Sequence, residues 1–109
     1  MICERSDVVI VPFPFTEQAQ AKNRPTVVLS DRTFNIGGYS ILAMITTKQE
    51  PVWVGDILIK DYLGAGLRVP CLIRFKIFTL DNRLITKKIG SLGIVDARQV
   101  KKQLRAIWD

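Results

Sequence analysis

An arginine followed at once by a proline stands where a polar segment turns apolar, in the residues KNRPTVVLS, 22–30. A guanidinium group is planar and permanently charged, so it binds phosphoryl oxygens through paired hydrogen bonds but is a poor general base. Pro25 fixes its own φ near about −65° and disfavours helical geometry at Arg24. From position alone, Arg24 is either an ordinary solvated side chain or an anion-binding group held at the edge of a rigid strand.

The residue types that the chain lacks limit the catalytic mechanisms it could use. The chain has no histidine, so it lacks the usual acid–base group near neutral pH and the commonest transition-metal ligand. Its ten carboxylates are scattered, and no two are close enough in sequence to indicate a metal pair. Cys3 and Cys71 make neither a disulfide framework nor a metal quartet, and we expect buried thiols. The composition therefore disfavours a two-metal nuclease.

The net charge and the length of the chain limit the classes of protein to which it could belong. The net charge of +6 suits a polyanionic partner such as RNA, DNA or an acidic protein, although the basic residues form no tail. The 109 residues are 48% hydrophobic, which predicts one domain over 1–109 with a substantial core. No apolar run approaches the roughly 18–20 residues that span a membrane, and the N-terminus lacks a signal-peptide pattern. We therefore expect a cytoplasmic protein.

Several short strands and one late helix must position any site. Strands are predicted at residues 7–13, 25–30, 39–46 and 68–80, with short candidates at 52–54 and 57–60. In the last long strand, alternation places Ile73, Phe75 and Ile77 on one face. The other face then carries Arg74, Lys76 and Phe78. The polar residues 16–24 are interpreted as a loop, and Pro12 and Pro14 as the end of the first strand.

The period changes near the C-terminus, where apolar residues recur at helical spacing from Asp96 onward. They are Ala97, Val100, Leu104, Ile107 and Trp108. Asp96 is a suitable N-cap, with Gln99 at the capping-box position, and the spacing predicts burial of Ile107 and Trp108. The pattern as a whole predicts a mainly β (α+β) fold, a small bent sheet or barrel with a C-terminal amphipathic helix packed on it.

The ordered segments RSDVVIVPFPFTE, NRPTVVLS, MITT and FKIFTLDNRLITKKIGSL resemble the MazF/PemK (Kid) family of bacterial toxins over nearly the whole chain. This resemblance implies an SH3-like barrel that acts as a homodimer. It also implies an endoribonuclease that needs no metal or other cofactor and cleaves single-stranded RNA, often mRNA, to 2′,3′-cyclic phosphate and 5′-hydroxyl ends. The implied protein partner is an antitoxin whose extended acidic tail blocks the RNA groove.

The chain departs from the family pattern at two places. Ser6 stands where glycine is usual. One branch of the family uses an arginine and an aspartate on the late strand together with a histidine, but here Ile73 and Phe75 occupy the strand positions and histidine is absent. The resemblance therefore implies the branch that relies on an arginine and a threonine, which correspond to Arg24 and Thr46.

The resemblance implies a role for each candidate residue. Arg24 would clamp the phosphate and stabilise the transition state, and Thr46 would donate to a non-bridging oxygen or orient the 2′-hydroxyl. The candidate RNA-binding residues are Phe15, Thr16, Gln18, Lys22, Thr47 and Lys76. For most of them a structural explanation stays open: a surface loop with Phe15 in the core, or a solvated face at Arg74 and Lys76. Trp53 and Trp108 are expected in the core or at a dimer interface.

Two other functions remain open from the sequence. The C-terminal residues AIWD resemble, over a very short stretch, the tryptophan-containing end of CcdB-type toxins, which poison DNA gyrase. A non-catalytic barrel that binds RNA or protein is the other alternative, because small β barrels serve many functions.

Overall fold

The protein is described by a computed structural model over residues 1–13, 22–48 and 52–108. Its strands form one curled antiparallel sheet in the order β4-β5-β3-β2-β1-β6. The strands are β1 (Asp7–Phe13), β2 (Lys22–Val28), β3 (Tyr39–Thr47), β4 (Ile57–Leu58), β5 (Cys71–Asp81) and β6 (Lys87–Ser91). A short helix α1 (Arg32–Asn35), a 3₁₀ turn (Asn82–Leu84) and a long helix α2 (Ile94–Trp108) complete the described elements. The predicted mainly β class with a C-terminal helix is confirmed, as a half-barrel.

Apolar residues cover both faces of the central strands. Val8 and Val27 belong to a cluster that also contains Val100 of α2. Val9 and Val11 belong to a second cluster with Leu80. Successive residues of a strand point to opposite faces, so a strand buried on both faces must be apolar throughout. This explains the unbroken apolar run of β1.

The second strand begins earlier than its sequence predicts. β2 starts at Lys22, so the prediction that residues 22–24 belong to a loop is wrong: Arg24 lies within the strand, opposite Val11. Pro25 pairs with Ile10 on one side, while pairing with β3 begins only at Thr26. The proline is tolerated because it lies just before the first residue of β2 that pairs with β3, at the end of that ladder. Pro12 likewise lies inside β1, which ends at Phe13.

The middle and late parts of the sheet also differ from the prediction. Residues 52–54 form no strand, and the candidate at 57–60 shortens to Ile57–Leu58. β6, Lys87–Ser91, was not predicted because its sequence KKIGS is polar; it forms by pairing with β1. β6 was missed because pairing with β1 overrides weak local β-propensity, whereas residues 52–54 have β-favouring side chains but pair with no described strand.

The long helix begins at Ile94, so Asp96 is not its N-cap. Asp96 lies in the first turn, is 1% exposed, and accepts hydrogen bonds from the backbone N–H groups of Lys60 (2.9 Å) and Asp61 (3.0 Å). Ala97, Val100 and Leu104 pack against the core, as their spacing predicts. The predicted burial of Ile107 and Trp108 is wrong within this chain: Trp108 is 75% exposed.

Cys3 and Cys71 are buried free thiols, as expected. Burial raises the pKa of both, which keeps them protonated and unreactive near neutral pH. In the described part of the chain, no helix is long and apolar enough to cross a membrane.

The backbone explains why a glycine suits the position of Ser6. Ser6 has φ +75°, in the left-handed region, and is held there by hydrogen bonds of its N–H to Val28 O (2.8 Å) and of its carbonyl to the Leu92 N–H (2.9 Å). This conformation costs an L-residue roughly 1–2 kcal/mol, and a glycine at this position would avoid that cost. A glycine also has more conformational entropy in the unfolded chain, which offsets roughly 0.5–1 kcal/mol of the gain.

We therefore expect Ser6→Gly to raise the free energy of unfolding by about 0.5–1 kcal/mol, measured by urea denaturation. Ser6→Ala is the matched control, because it removes the hydroxyl but keeps the Cβ that causes the strain. A gain of equal size in Ser6→Ala would contradict this explanation.

Candidate active site

A surface pocket of about 190 Å³ opens where β2, β3 and β5 lie side by side. The side chains that matter for its chemistry are Phe13, Arg24, Met44, Thr46, Arg74 and Lys76. Of these, Arg24, Thr46 and Lys76 were predicted as site residues from the sequence. The fold brings together residues that are more than twenty positions apart in the chain.

Strand register explains this convergence. Thr26 of β2 pairs with Met44 of β3, and Met44 pairs with Arg74 of β5. Arg24 is two residues before Thr26, and Thr46 is two residues after Met44, so continuing the antiparallel register places Arg24 across from Thr46. Side chains two apart in a strand share a face. Three neighbouring strands therefore place the side chains of Arg24, Thr46 and Arg74 on one face of the sheet.

An irregularity in β5 lies directly beside the pocket. The pairing with β3 passes from Ile77↔Ala43 to Arg74↔Met44, so Phe75 and Lys76 are two extra residues on β5. An insertion of two residues preserves the alternation of faces, so Arg74 and Lys76 share a face, as predicted, and both line the pocket. Bulges of this kind bend a strand and re-aim its side chains, and they are frequent beside active sites.

The remaining predicted residues have different positions. Lys22 lies at the start of β2 and Thr47 at the end of β3, both exposed and neither among the residues that line the pocket. Thr47 is adjacent to Thr46 in the strand and so faces the opposite side of the sheet. Phe15, Thr16 and Gln18 lie outside the described residues.

Arg74 is held by a buried carboxylate. Its Nε donates to Asp56 Oδ1 (3.2 Å) and its Nη2 to Asp56 Oδ2 (2.9 Å), and the Asp56 side chain is almost fully buried. The hydrogen bond from Arg74 holds the pKa of Asp56 below its ordinary value, against the opposing effect of burial and with help from the Trp53 N–H. The same bond raises the pKa of Arg74. Both groups are charged near neutral pH, so the pair fixes the guanidinium geometrically.

Trp53 was expected in the core or at an interface, and the core alternative is wrong. The residue is 46% exposed, and two cations from β5 lie against its ring. The Arg74 guanidinium carbon is 4.6 Å from the ring centroid, and the Lys76 ammonium is 4.7 Å from it. Both distances are within the range of cation–π attraction. Sequence reasoning missed Trp53 and Asp56 as parts of this region, and their only local signal is the turn sequence WVGD.

The electrostatics of the pocket favour an anion. Arg24 and Lys76 supply net positive charge, Arg74 is paired with Asp56, and no carboxylate lines the pocket among the described residues. Guanidinium groups match the geometry of phosphoryl oxygens, and a hydroxyl such as that of Thr46 donates to the same kind of group. The pocket is therefore suited to bind a phosphoryl group and to stabilise negative charge that develops on it.

A small, curled antiparallel β-sheet with a C-terminal helix, and a cationic pocket across three of its strands, define a small half-barrel with a candidate anion-binding site. The sequence matches the family model of PemK-like, MazF-like toxins of type II toxin–antitoxin systems over residues 4–108. The chain therefore belongs to this toxin family. No curated protein sequence matches it significantly.

Solved structures of low sequence identity share the fold. A MazE–MazF complex from Deinococcus radiodurans is 18% identical, with a TM-score of 0.78 over 99% of this chain and 97% of that one. An endoribonuclease in complex with its cognate antitoxin from Mycobacterial species is 11% identical, with a TM-score of 0.72 over 96% and 91%. The Mycobacterium tuberculosis toxin MazF-mt6 is 16% identical, with a TM-score of 0.74 over 94% and 96%.

Proposed function

We propose that this protein is a metal-independent endoribonuclease toxin that cleaves single-stranded RNA at specific sequences. The observation that carries the proposal is the convergence of Arg24 and Thr46 in one cationic pocket, with Arg74 and Lys76 beside them. Family membership supports it, as does the similarity to a solved endoribonuclease.

RNA is a substrate that this pocket can cleave without a histidine or a metal ion. The substrate carries its own nucleophile, the 2′-hydroxyl, so an enzyme that aligns this group with the phosphorus needs no activated water. The oxygen attacks the phosphorus, the bond to the 5′-oxygen breaks, and the products are a 2′,3′-cyclic phosphate and a 5′-hydroxyl. The protein must orient the reacting atoms, stabilise the additional negative charge and guide two protons.

The two candidate catalytic residues divide these tasks. Arg24 donates to the non-bridging oxygens, where charge increases in the transition state, and towards the 5′-oxygen as it leaves. The Thr46 hydroxyl orients the 2′-hydroxyl or donates to a non-bridging oxygen. Both are mounted on paired strands, and a rigid support of this kind favours catalysis because it holds the groups in the productive geometry.

The protein partner in this proposal is an antitoxin. Two of the similar solved structures are complexes with antitoxins. A cationic pocket that binds RNA phosphates also attracts carboxylates, so an extended acidic segment would compete directly with RNA for Arg24, Arg74 and Lys76. Inhibition of this kind requires no conformational change in the toxin.

We also propose that the toxin acts as a homodimer in the cytoplasm. Ile77, Leu104 and Trp108 line an apolar groove of about 170 Å³ between β5 and α2. An exposed apolar surface of this kind is typical of a protein–protein contact, and a second copy of the chain would cover it. The mass in solution, measured by light scattering, tests this point, and a monomer at all concentrations would contradict it.

The cleavage reaction is tested with purified protein and a long single-stranded RNA in excess EDTA. We expect cuts at discrete sequences, and mapping of the new ends should show 5′-hydroxyl groups. Uncut RNA of diverse sequence would contradict the proposal. In that case the DNA gyrase alternative would be tested by adding gyrase and plasmid DNA to the same protein.

A further inference from the structure

Three consecutive apolar residues, Val52, Trp53 and Val54, are exposed, and the ring of Trp53 contacts two residues that line the pocket. Val52 is 52% exposed, Trp53 is 46% exposed, and Val54 is fully exposed. A run of exposed apolar side chains does not stabilise the folded chain, and in soluble proteins it is characteristic of a contact surface. Neither the fold nor the roles of Arg24 and Thr46 account for this run.

The backbone of this segment is a tight turn that fixes Trp53. The N–H of Asp56 donates to the carbonyl of Trp53 (3.1 Å), and Gly55 has φ +89°, as the third residue of a type II turn requires. A Cβ on Gly55 would lie 2.7 Å from Nε2 of Gln103, so the turn also packs closely against α2. The Trp53 N–H donates in return to Asp56 Oδ2 (2.8 Å), which ties the turn at both ends.

The same carboxylate joins the turn to the pocket. Asp56 binds the guanidinium of Arg74, and Arg74 lines the pocket together with Arg24. The Arg74 guanidinium and the Lys76 ammonium, both from β5, lie 4.6 and 4.7 Å from the centroid of the indole ring, while 46% of Trp53 remains exposed to solvent. The indole is therefore an aromatic surface held in place before any ligand binds.

We propose that Trp53 stacks on a nucleobase of the RNA next to the phosphate held in the pocket. This inference rests on the proposed endoribonuclease function and adds a base-binding position to that site. Proteins that bind single strands combine cations that follow the backbone with aromatic rings on which the bases stack. Trp53 has the ring, and Arg24, Arg74 and Lys76 supply the cations. A base stacked on Trp53 would position the adjacent phosphate next to Arg24. Stacking would therefore contribute to the choice of cleavage site.

RNA is favoured over a peptide as the ligand of Trp53 by the placement of charge. Arg74 and Lys76 lie against the ring and also line the adjoining pocket with Arg24, so a phosphate in the pocket would lie next to a base on the ring, as along a nucleic acid strand. Phosphates lie next to every base, so one strand can occupy the ring and the pocket together.

The test measures binding separately from cleavage. The probes are fluorescein-labelled 2′-O-methyl RNA strands of A, C or U, about 12 nucleotides long, which bind but cannot be cleaved because the 2′-oxygen is blocked. We expect Trp53→Ala to weaken the binding of at least one probe by about 10-fold or more, and Trp53→Phe to retain most of the affinity. Fluorescence anisotropy gives the dissociation constants.

The salt dependence of RNA binding distinguishes a Trp53 that stacks on a base from a Trp53 that only positions the neighbouring cations. A stacking residue contributes no counterion release, so Trp53→Ala should leave the slope of log K against log[salt] unchanged. Lys76→Ala, as a phosphate-contact control, should reduce that slope by about 1. In Trp108→Phe, Trp53 is the only tryptophan, and the probes should quench its fluorescence because a base covers the ring.

Each alternative outcome has a defined meaning. Unchanged affinity in Trp53→Ala, or a slope reduced as in Lys76→Ala, overturns the stacking proposal. So does a Trp53→Ala variant that loses affinity for an acidic antitoxin peptide but not for RNA. If Trp53→Ala weakens RNA binding while the parent chain cuts no RNA, the endoribonuclease proposal fails and the base-binding site stands. If the parent chain cuts RNA and Trp53→Ala binds normally, only the stacking proposal fails.

Discussion

Alanine in place of Arg24 is expected to lower the rate of RNA cleavage by about 10³-fold, because arginines and preorganised donors that meet developing phosphoryl or oxyanion charge contribute on this scale. The Arg24 side chain is exposed at the pocket, and the strand that carries it is held by its pairing with β1. The substitution should therefore leave the fold intact. Among the described residues, Arg24 and Arg74 are the arginines that line the pocket, and Arg74 is already engaged by Asp56.

The measurement is a single-turnover cleavage rate on a short RNA that contains one mapped site. Arg98→Ala is the matched control, since Arg98 is also exposed and its loss changes the net charge equally, but it lies on α2 away from the pocket. Arg24→Lys should fall between the two, because a lysine keeps the charge and loses the paired geometry. Equal rates for Arg24→Ala and Arg98→Ala would exclude Arg24 from the chemistry.

Alanine in place of Asp96 is expected to lower the free energy of unfolding by about 3 kcal/mol, the largest stability effect we predict. The Asp96 carboxylate is buried and accepts from two backbone N–H groups, those of Lys60 and Asp61. Removing it leaves two partly buried N–H donors without their acceptor, and a hydrogen bond to a charged group contributes roughly 1.5–3 kcal/mol. The contact also joins α2 to the segment that follows β4.

Urea denaturation measures this effect, with Glu4→Ala as the control that removes one exposed carboxylate. The control should change the free energy of unfolding by no more than about 0.5 kcal/mol, as is usual for exposed positions. Asp96→Asn keeps one acceptor oxygen and should lose about half as much as Asp96→Ala. If Asp96→Ala is as stable as Glu4→Ala, the two hydrogen bonds do not anchor the helix.

Local sequence is sufficient to predict the elements whose burial repeats along the chain, and it misses those that depend on distant partners. β1 and the core-facing residues of α2 were predicted correctly because burial imposes a pattern that can be read from neighbouring residues. β6 was missed because KKIGS is polar and becomes a strand only through its partner β1. Asp96 has the residue type of an N-cap, yet its carboxylate bonds to residues thirty-five and thirty-six positions earlier. No local pattern contains such a partner.

The sequence by itself determined the class of fold and the two candidate catalytic residues, Arg24 and Thr46. The apolar strands, the late helical period and the ordered family segments are all local features of the chain. Only the tertiary structure decided what surrounds these residues. Strand register brings Arg74 and Lys76 to the same pocket, and a four-residue turn holds Trp53 outside the core. The physical reason is that strand pairing and side-chain contacts join residues distant in sequence, and local residue preferences carry no information about which partner they will meet.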